Sequence, residues 1–192
     1  MSAAATVAVA PTVVRSTAEE AVKDGDMPRA LEMFSAACQA GAPQACLKSG
    51  WMSFEGKGGG EPNDESAVMD FRRSCIGEVG EGCTALGLMY AEGRGLKRSK
   101  YAAMEFYAVG SEAKDGWGCH LIGQYYESKT LMKKAHKFYE RGCGYGLPAA
   151  CTDLGRVYEA NRGFLKRDPK RAAGATCCNI TIETISIQAI TV

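Results

Sequence analysis

The sequence predicts an all-α chain: a solenoid of about four stacked helix–turn–helix units with an irregular C-terminal tail. Three observations carry this. Apolar residues recur three and four positions apart over segments of helical length, as in Ala30, Leu31, Phe34 and Ala37. Three cysteine pairs, Cys38/Cys46, Cys75/Cys83 and Cys143/Cys151, share one C-x7-C spacing. Several other positions recur with them, which is the signature of a repeated structural unit.

Composition narrows the class. The chain has 192 residues, 46% of them hydrophobic and 23% charged, which suits one domain or one short repeat array. Lys plus Arg is 23, Asp plus Glu is 22, and the net charge is +1. A duplex-binding protein would show a basic excess or stripe, so nucleic acid is not an expected partner. No apolar run reaches the roughly 18 residues of a membrane span. Nine cysteines exceed what a core of this size needs.

Residues 1–15, MSAAATVAVAPTVVR, lack the basic segment of a secretory signal and read as a disordered extension. Thr17-x-x-Glu20 then reads as a capping box opening a short helix through Lys23. The repeat array occupies residues 16–173, with units at about 27–63, 64–98, 99–130 and 131–167 and a partial restart at 168–173.

Each unit opens with a helix carrying an alanine, at Ala30, Ala67, Ala103 or Ala135. Eight residues on stands Cys38, Cys75 or Cys143, with Ser111 in that place in the third unit. The first helices end near Gly41, Gly77 and Gly144. A second helix follows, with Cys46, Cys83, Cys119 or Cys151 and, four residues later, Gly50, Gly87, Gly123 or Gly155. Glycine within a helix costs about 1 kcal/mol against alanine, so its recurrence predicts close approach of a neighbouring helix. An aromatic residue follows at Phe54, Tyr90, Tyr126 or Tyr158. The third unit is the shortest: Tyr126 to Ala135 lacks the glycine loop that separates Tyr90 from Ala103, so plainer helix packing is expected there.

The C-x7-C spacing puts one thiol in the last turn of the first helix and the other in the first turn of the second. Antiparallel helices are close at their shared turn, so disulfides Cys38–Cys46, Cys75–Cys83 and Cys143–Cys151 are geometrically reasonable. Buried free thiols, metal binding and redox chemistry are the other readings. Zinc sites use closer spacings than these. Cys119 faces Ser111 and is expected to remain an unpaired buried thiol.

The AC-x7-AC core, the L-G-x-[MVY]-Y segment, the G-x-G loop and the DPKRA restart from Asp168 to Ala172 resemble Sel1-like repeats over residues 27–173. The resemblance implies a right-handed solenoid related to tetratricopeptide repeats. The stapled version is similar to secreted cysteine-rich bacterial proteins of a family labelled β-lactamase-like, and to the cysteine-rich mitochondrial assembly factor for cytochrome c oxidase.

Little chemistry is legible. Ser111-Glu-Ala-Lys114 matches S-x-x-K, but the S-D-N and K-T-G elements that should accompany it are missing. The Gly56–Gly60 run, GKGGG, departs from a phosphate loop in spacing and lacks the Ser or Thr after Lys57. His120 and His136 are the two histidines, and adjacent Cys119 and His120 point to different helix faces. A Cys119–His136 nucleophile pair has no orienting partner in sight. Among Trp51, Tyr101, Tyr107, Trp117, Tyr125, Tyr126 and Tyr139, most belong to the core and a minority to a peptide-binding groove.

After Ala173 the repeat gives way. Position 180, where the next cysteine belongs, is Ile180, and residues 174–192 alternate isoleucine with polar residues as a strand would. Cys177 and Cys178 need no function there, and Asn179-Ile180-Thr181 is a glycosylation sequon that only a secreted chain would use.

The functional expectation is a monomeric, non-enzymatic interaction scaffold binding a protein or peptide in its concave groove, without cofactor, metal or catalytic residues. The resemblance implies cytochrome c oxidase assembly in the mitochondrial intermembrane space. The alternative is a secreted or periplasmic protein with weak β-lactam hydrolase or penicillin-binding activity.

Overall fold

In the computed structural model, which describes residues 11–159, every regular element is a helix. The order is α1 (Pro11–Lys23), α2 (Met27–Gln39), α3 (Pro43–Glu55), α4 (Asp64–Ile76), α5 (Gly80–Glu92), α6 (Lys100–Glu112), α7 (Gly116–Ser128), α8 (Met132–Gly144) and α9 (Pro148–Glu159). The 168–173 restart and the tail with Cys177 and Cys178 lie outside the described residues. Two compact units divide within α6, after Ala103.

Local chemistry sets the helix starts. Asp26 accepts from the backbone N–H of Arg29, Asn63 from Ser66, and Asp115 from Trp117 and Gly118; each satisfies donors that the first turn leaves without partners. Pro43 and Pro148 open α3 and α9, where a missing N–H costs nothing. Thr17 does not cap a helix. It lies inside α1, which begins six residues earlier within the expected N-terminal extension.

The turns follow one rule. Residues 40–42, 77–79, 113–115 and 145–147 join the helices of each unit. The middle residue of each is left-handed: Gly41 at φ 90°, Glu78 at 62°, Lys114 at 64° and Gly146 at 85°. The first helices end at or beside the expected glycines, with Gly77 capping α4 at φ −79° and Gly144 closing α8. Glu78 and Lys114 accept a conformation that costs an L-residue about 1 kcal/mol or more. Between units the connections differ: residues 56–63 and 93–99 are long, whereas 129–131 is a three-residue turn. The third unit thus closes onto the fourth without a glycine loop.

The 93–99 loop shows what the longer connections do. Arg94 donates to both carboxylate oxygens of Asp64, at 3.1 and 2.6 Å, and its guanidinium lies 3.7 Å from the centre of the Phe54 ring. Gly95 sits so close to the Asp64 backbone that a Cβ would come within 2.7 Å of its carbonyl oxygen. One glycine loop is clamped to the start of α4.

In the first unit of the fold, Ala18, Ala21, Ala30, Phe34, Ala37, Ala45 and Met52 form one buried cluster. In the second, Ala135, Tyr139, Leu154, Val157 and Tyr158 form another. The recurring alanines are all buried, as small residues must be where helices pair closely. The helical glycines make that closeness explicit. A Cβ at Gly50 would meet the Phe71 ring at 2.7 Å, and one at Gly123 would meet Tyr139 at 2.5 Å. Each ring packs against bare backbone of the preceding helix. Gly50→Ala is therefore expected to destabilise by about 1–3 kcal/mol, despite alanine's better helix propensity. Urea denaturation checks this, and an unchanged or raised midpoint contradicts it.

Candidate interaction site

Three disulfides join the helix pairs at their turns: Cys38–Cys46, Cys75–Cys83 and Cys143–Cys151, each with Cα atoms 4.5 Å apart. Cys119 carries the free thiol among the described cysteines and is wholly buried. The buried Oγ of Ser111 meets its Sγ in a short contact, and the Arg141 guanidinium donates to the Ser111 carbonyl at 3.3 Å. Burial pushes the Cys119 thiol above its ordinary range, with the Ser111 hydrogen bond opposing. Ser111 takes the half-cystine's place with a hydrogen bond instead of a covalent one. Lys114 is exposed, so Ser111 and Lys114 do not meet as a nucleophile and its base would.

The histidines have other partners. His120 is buried, its Nε2 lies 2.8 Å from Asp153, and Trp117 meets its ring edge-on at 5.6 Å. His136 Nε2 lies 3.0 Å from the Tyr158 hydroxyl. Around His120 runs a charged network that links α7, α8 and α9. Arg156 donates to both oxygens of Glu127, at 2.7 and 2.9 Å, and to Asp153 at 3.1 Å. Tyr139 donates to Glu127 at 2.7 Å. Burial first, then the Glu127 hydrogen bond, holds the Tyr139 phenol well above its usual range. No three His, Cys, Asp or Glu side chains converge as a metal site among the described residues.

Among the described residues, an open groove of about 610 Å³ lies in the first unit of the fold. Val22 of α1, Met27 and Phe34 of α2, and Trp51 and Met52 of α3 give it apolar lining. Glu19, Lys23, Lys48, Glu55 and Lys57 rim it. Lys48 pairs with Glu19 at 2.8 Å, lying 5.2 Å from the Phe34 ring centre, and Lys57 pairs with Glu55 at 2.5 Å. Trp51 stands edge-on to Phe71 at 5.1 Å, so its indole is held by the packing that brings α3 and α4 together. Of the other aromatics, Tyr107 and Tyr139 are core, Tyr126 is half-buried, and Tyr101, Trp117 and Tyr125 are exposed. The Gly56–Gly60 run is the α3–α4 connection. Gly58 there lies so close to Leu31 that a Cβ would meet its side chain at 2.2 Å.

One buried site has no counterpart in the sequence reading. Asp70 of α4 is only 5% exposed. It accepts from the Ser49 hydroxyl at 2.6 Å and from Arg73 at 3.4 Å, and its Oδ1 stands 3.6 Å from Cys38 Sγ. Burial raises its carboxyl above the ordinary 3.8, against the lowering effect of Ser49 and Arg73. The signal was present as a paired break in pattern. Ser49 stands where other units have Leu86, Ile122 and Leu154, and Asp70 where they have Met33, Phe106 and Phe138.

A stapled stack of helix pairs with an apolar groove defines a helical-repeat scaffold, the class whose extended surfaces serve binding. The chain belongs to the Sel1 repeat family, whose repeat matches residues 22–41, 43–75, 80–115 and 148–173. Its fold is similar to a Sel1 repeat protein from Oxalobacter formigenes, at 21% identity and TM-score 0.75, covering 86% of this chain and 69% of that one. It is also similar to c5321, a protective antigen of uropathogenic Escherichia coli with an SLR fold. There the identity is 20% and the TM-score 0.75, over 89% of this chain but 38% of that one. MamA matches at 16% identity and TM-score 0.52, over 89% of this chain and 96% of that one. A search of curated proteins found no match.

Two expectations follow. Ser111→Cys should form a fourth bridge with Cys119, seen as a 2 Da mass loss under non-reducing conditions and a gain of about 2.5 kcal/mol that dithiothreitol abolishes. A free Cys119 in that variant contradicts the geometry. Asp70→Asn should gain on wild type as pH rises. The folded carboxyl is raised, so its contribution is fully present below the unfolded value and is lost as pH climbs through the folded one. Asparagine does not ionise, so the urea midpoint of the variant minus that of wild type should rise from pH 3 to pH 7; a difference constant with pH contradicts this.

Proposed function

We propose that the protein is a non-enzymatic interaction scaffold that binds a segment of a partner protein in the groove between α1 and α3. The observation that carries the reading is the groove itself: an apolar floor with Trp51 in it, rimmed by charged pairs, matching the apolar-centre, polar-rim anatomy of binding surfaces. The α2–α3 staple supports it further, because a prefixed groove loses less freedom on binding.

Three disulfides favour an oxidising compartment: periplasm, extracellular space or intermembrane space. No helix among the described residues is long and apolar enough to cross a membrane. Within that range, the proposal of cytochrome c oxidase assembly in the intermembrane space rests on the sequence resemblance of the stapled repeat alone. The β-lactam alternative gains nothing from Ser111, whose hydroxyl is buried against Cys119.

Val22→Glu puts a charge into the exposed apolar lip of the groove without disturbing the core. Proteins that co-purify with wild type should be lost from Val22→Glu and kept by Tyr101→Glu, whose site is exposed elsewhere on α6. Equal recovery with both variants, at unchanged circular dichroism, overturns the groove assignment.

A further inference from the structure

The three disulfides are alike in spacing but not in surroundings. We propose that Cys38–Cys46 is a redox-active couple that exchanges with a thiol reductant such as glutathione, with Asp70 accepting the hydrogen of the Cys38 thiol in the reduced state.

In the oxidised protein, Asp70 Oδ1 stands 3.6 Å from a sulfur that has no hydrogen to give. Its remaining contacts are Ser49 on Oδ2 and the longer Arg73 contact at 3.4 Å. Reduction creates an S–H donor at that place. Two glutathione thiols supply two electrons and two protons. The first attacks the bridge to form a mixed disulfide, and the second releases it, so the S–S bond breaks, two protein S–H groups form and oxidised glutathione leaves.

The new Cys38 S–H then meets a buried carboxylate oxygen, Oδ1, whose other donor is the long Arg73 contact at 3.4 Å. A buried polar group is expensive to leave underpaired, and hydrogen bonds to charged groups are among the strongest in proteins. The reduced form of this pair gains a carboxyl acceptor, whereas the Cys75–Cys83 pair has only the neutral Cys75 carbonyl, 3.7 Å from Cys83 Sγ. Among the described residues, Cys75–Cys83 and Cys143–Cys151 have no side-chain acceptor at their sulfurs. The polar couple is also local: Ser49 and Asp70 replace apolar residues in both helices that face each other beside this one bridge.

Cys38–Cys46 joins the helices that carry Phe34 and Trp51 into the groove. Its reduction would free those walls; this consequence rests on the binding reading above, whereas the redox assignment does not.

The test uses the full chain in glutathione buffers of graded ratio, equilibrated from both oxidised and reduced protein because both sulfurs are buried. Thiols are then alkylated and each pair is quantified by peptide mass spectrometry. Cys38–Cys46 should be half reduced at a roughly tenfold less reducing ratio than the other two pairs, equivalent to about 30 mV. Asp70→Leu should bring it level with them, and the near-isosteric Asp70→Asn should move it part of the way while keeping the fold, as judged by circular dichroism. The proposal falls if all three pairs share one midpoint, if Cys38–Cys46 is the last to reduce, or if Asp70→Asn leaves its midpoint unmoved.

Discussion

A ring lying on bare helix backbone is the contact on which the stacking depends. Gly50 admits Phe71 and Gly123 admits Tyr139, in each case joining the second helix of one repeat to the first helix of the next. With any side chain at those glycines the ring would stand off and the helices would separate, losing dispersion contacts along their length. The ring reaches the glycine because it lies four residues after the buried alanine, on the same helix face. The alanine is buried on that same face, and the ring fills the gap to the preceding pair. The groove inherits this geometry, since Trp51 follows Gly50 and is wedged edge-on against Phe71.

Disulfides act in the other direction. Each joins the two helices of one repeat across a three-residue turn, at a place where ring and glycine do not reach. Stacking and stapling are thus independent constraints, one between repeats and one within them. The third repeat shows their separability. It keeps Gly123 and its ring contact while the staple is replaced by the Ser111–Cys119 hydrogen bond. The same region holds the charged network of His120, Asp153, Arg156, Glu127 and Tyr139, which binds α7 to α8 and α9 through side chains. Noncovalent bonding there does part of what a bridge does elsewhere.

What could be read in advance followed from spacing within one repeat. Helical period, cysteine pairs, buried alanines and helical glycines all recur at fixed offsets, so the 21 residues from Ala30 to Gly50 hold the pattern that places them. The left-handed residue of each turn was not legible, because two of the four, Glu78 and Lys114, are not glycine. Thr17 did mislead: a capping-box spacing inside a helix looks like one at its start. The groove, the Asp70–Ser49 couple and the His120–Asp153 contact join residues from different helices. No offset along the chain predicts which second-helix residue faces which first-helix residue until the stacking register is known.

That register gives meaning to the departures from pattern. A repeat array maintains itself by filling equivalent positions with equivalent apolar residues, so a polar residue at one such position is a cost that the neighbouring units avoid. Two polar replacements that face each other, Ser49 and Asp70, are different, because each supplies the hydrogen bond the other needs. Leucine at position 49 would leave Asp70 with Arg73 alone; a phenylalanine at 70 would strand the Ser49 hydroxyl. The couple is consistent only as a pair, and it lies against one of three otherwise equivalent bridges. Natural chains depart from local rules chiefly where function or strain requires it. In this array the departure falls beside the helix pair that shapes the groove, so the proposed binding surface and the bridge that lies against Asp70 share the α2–α3 pair.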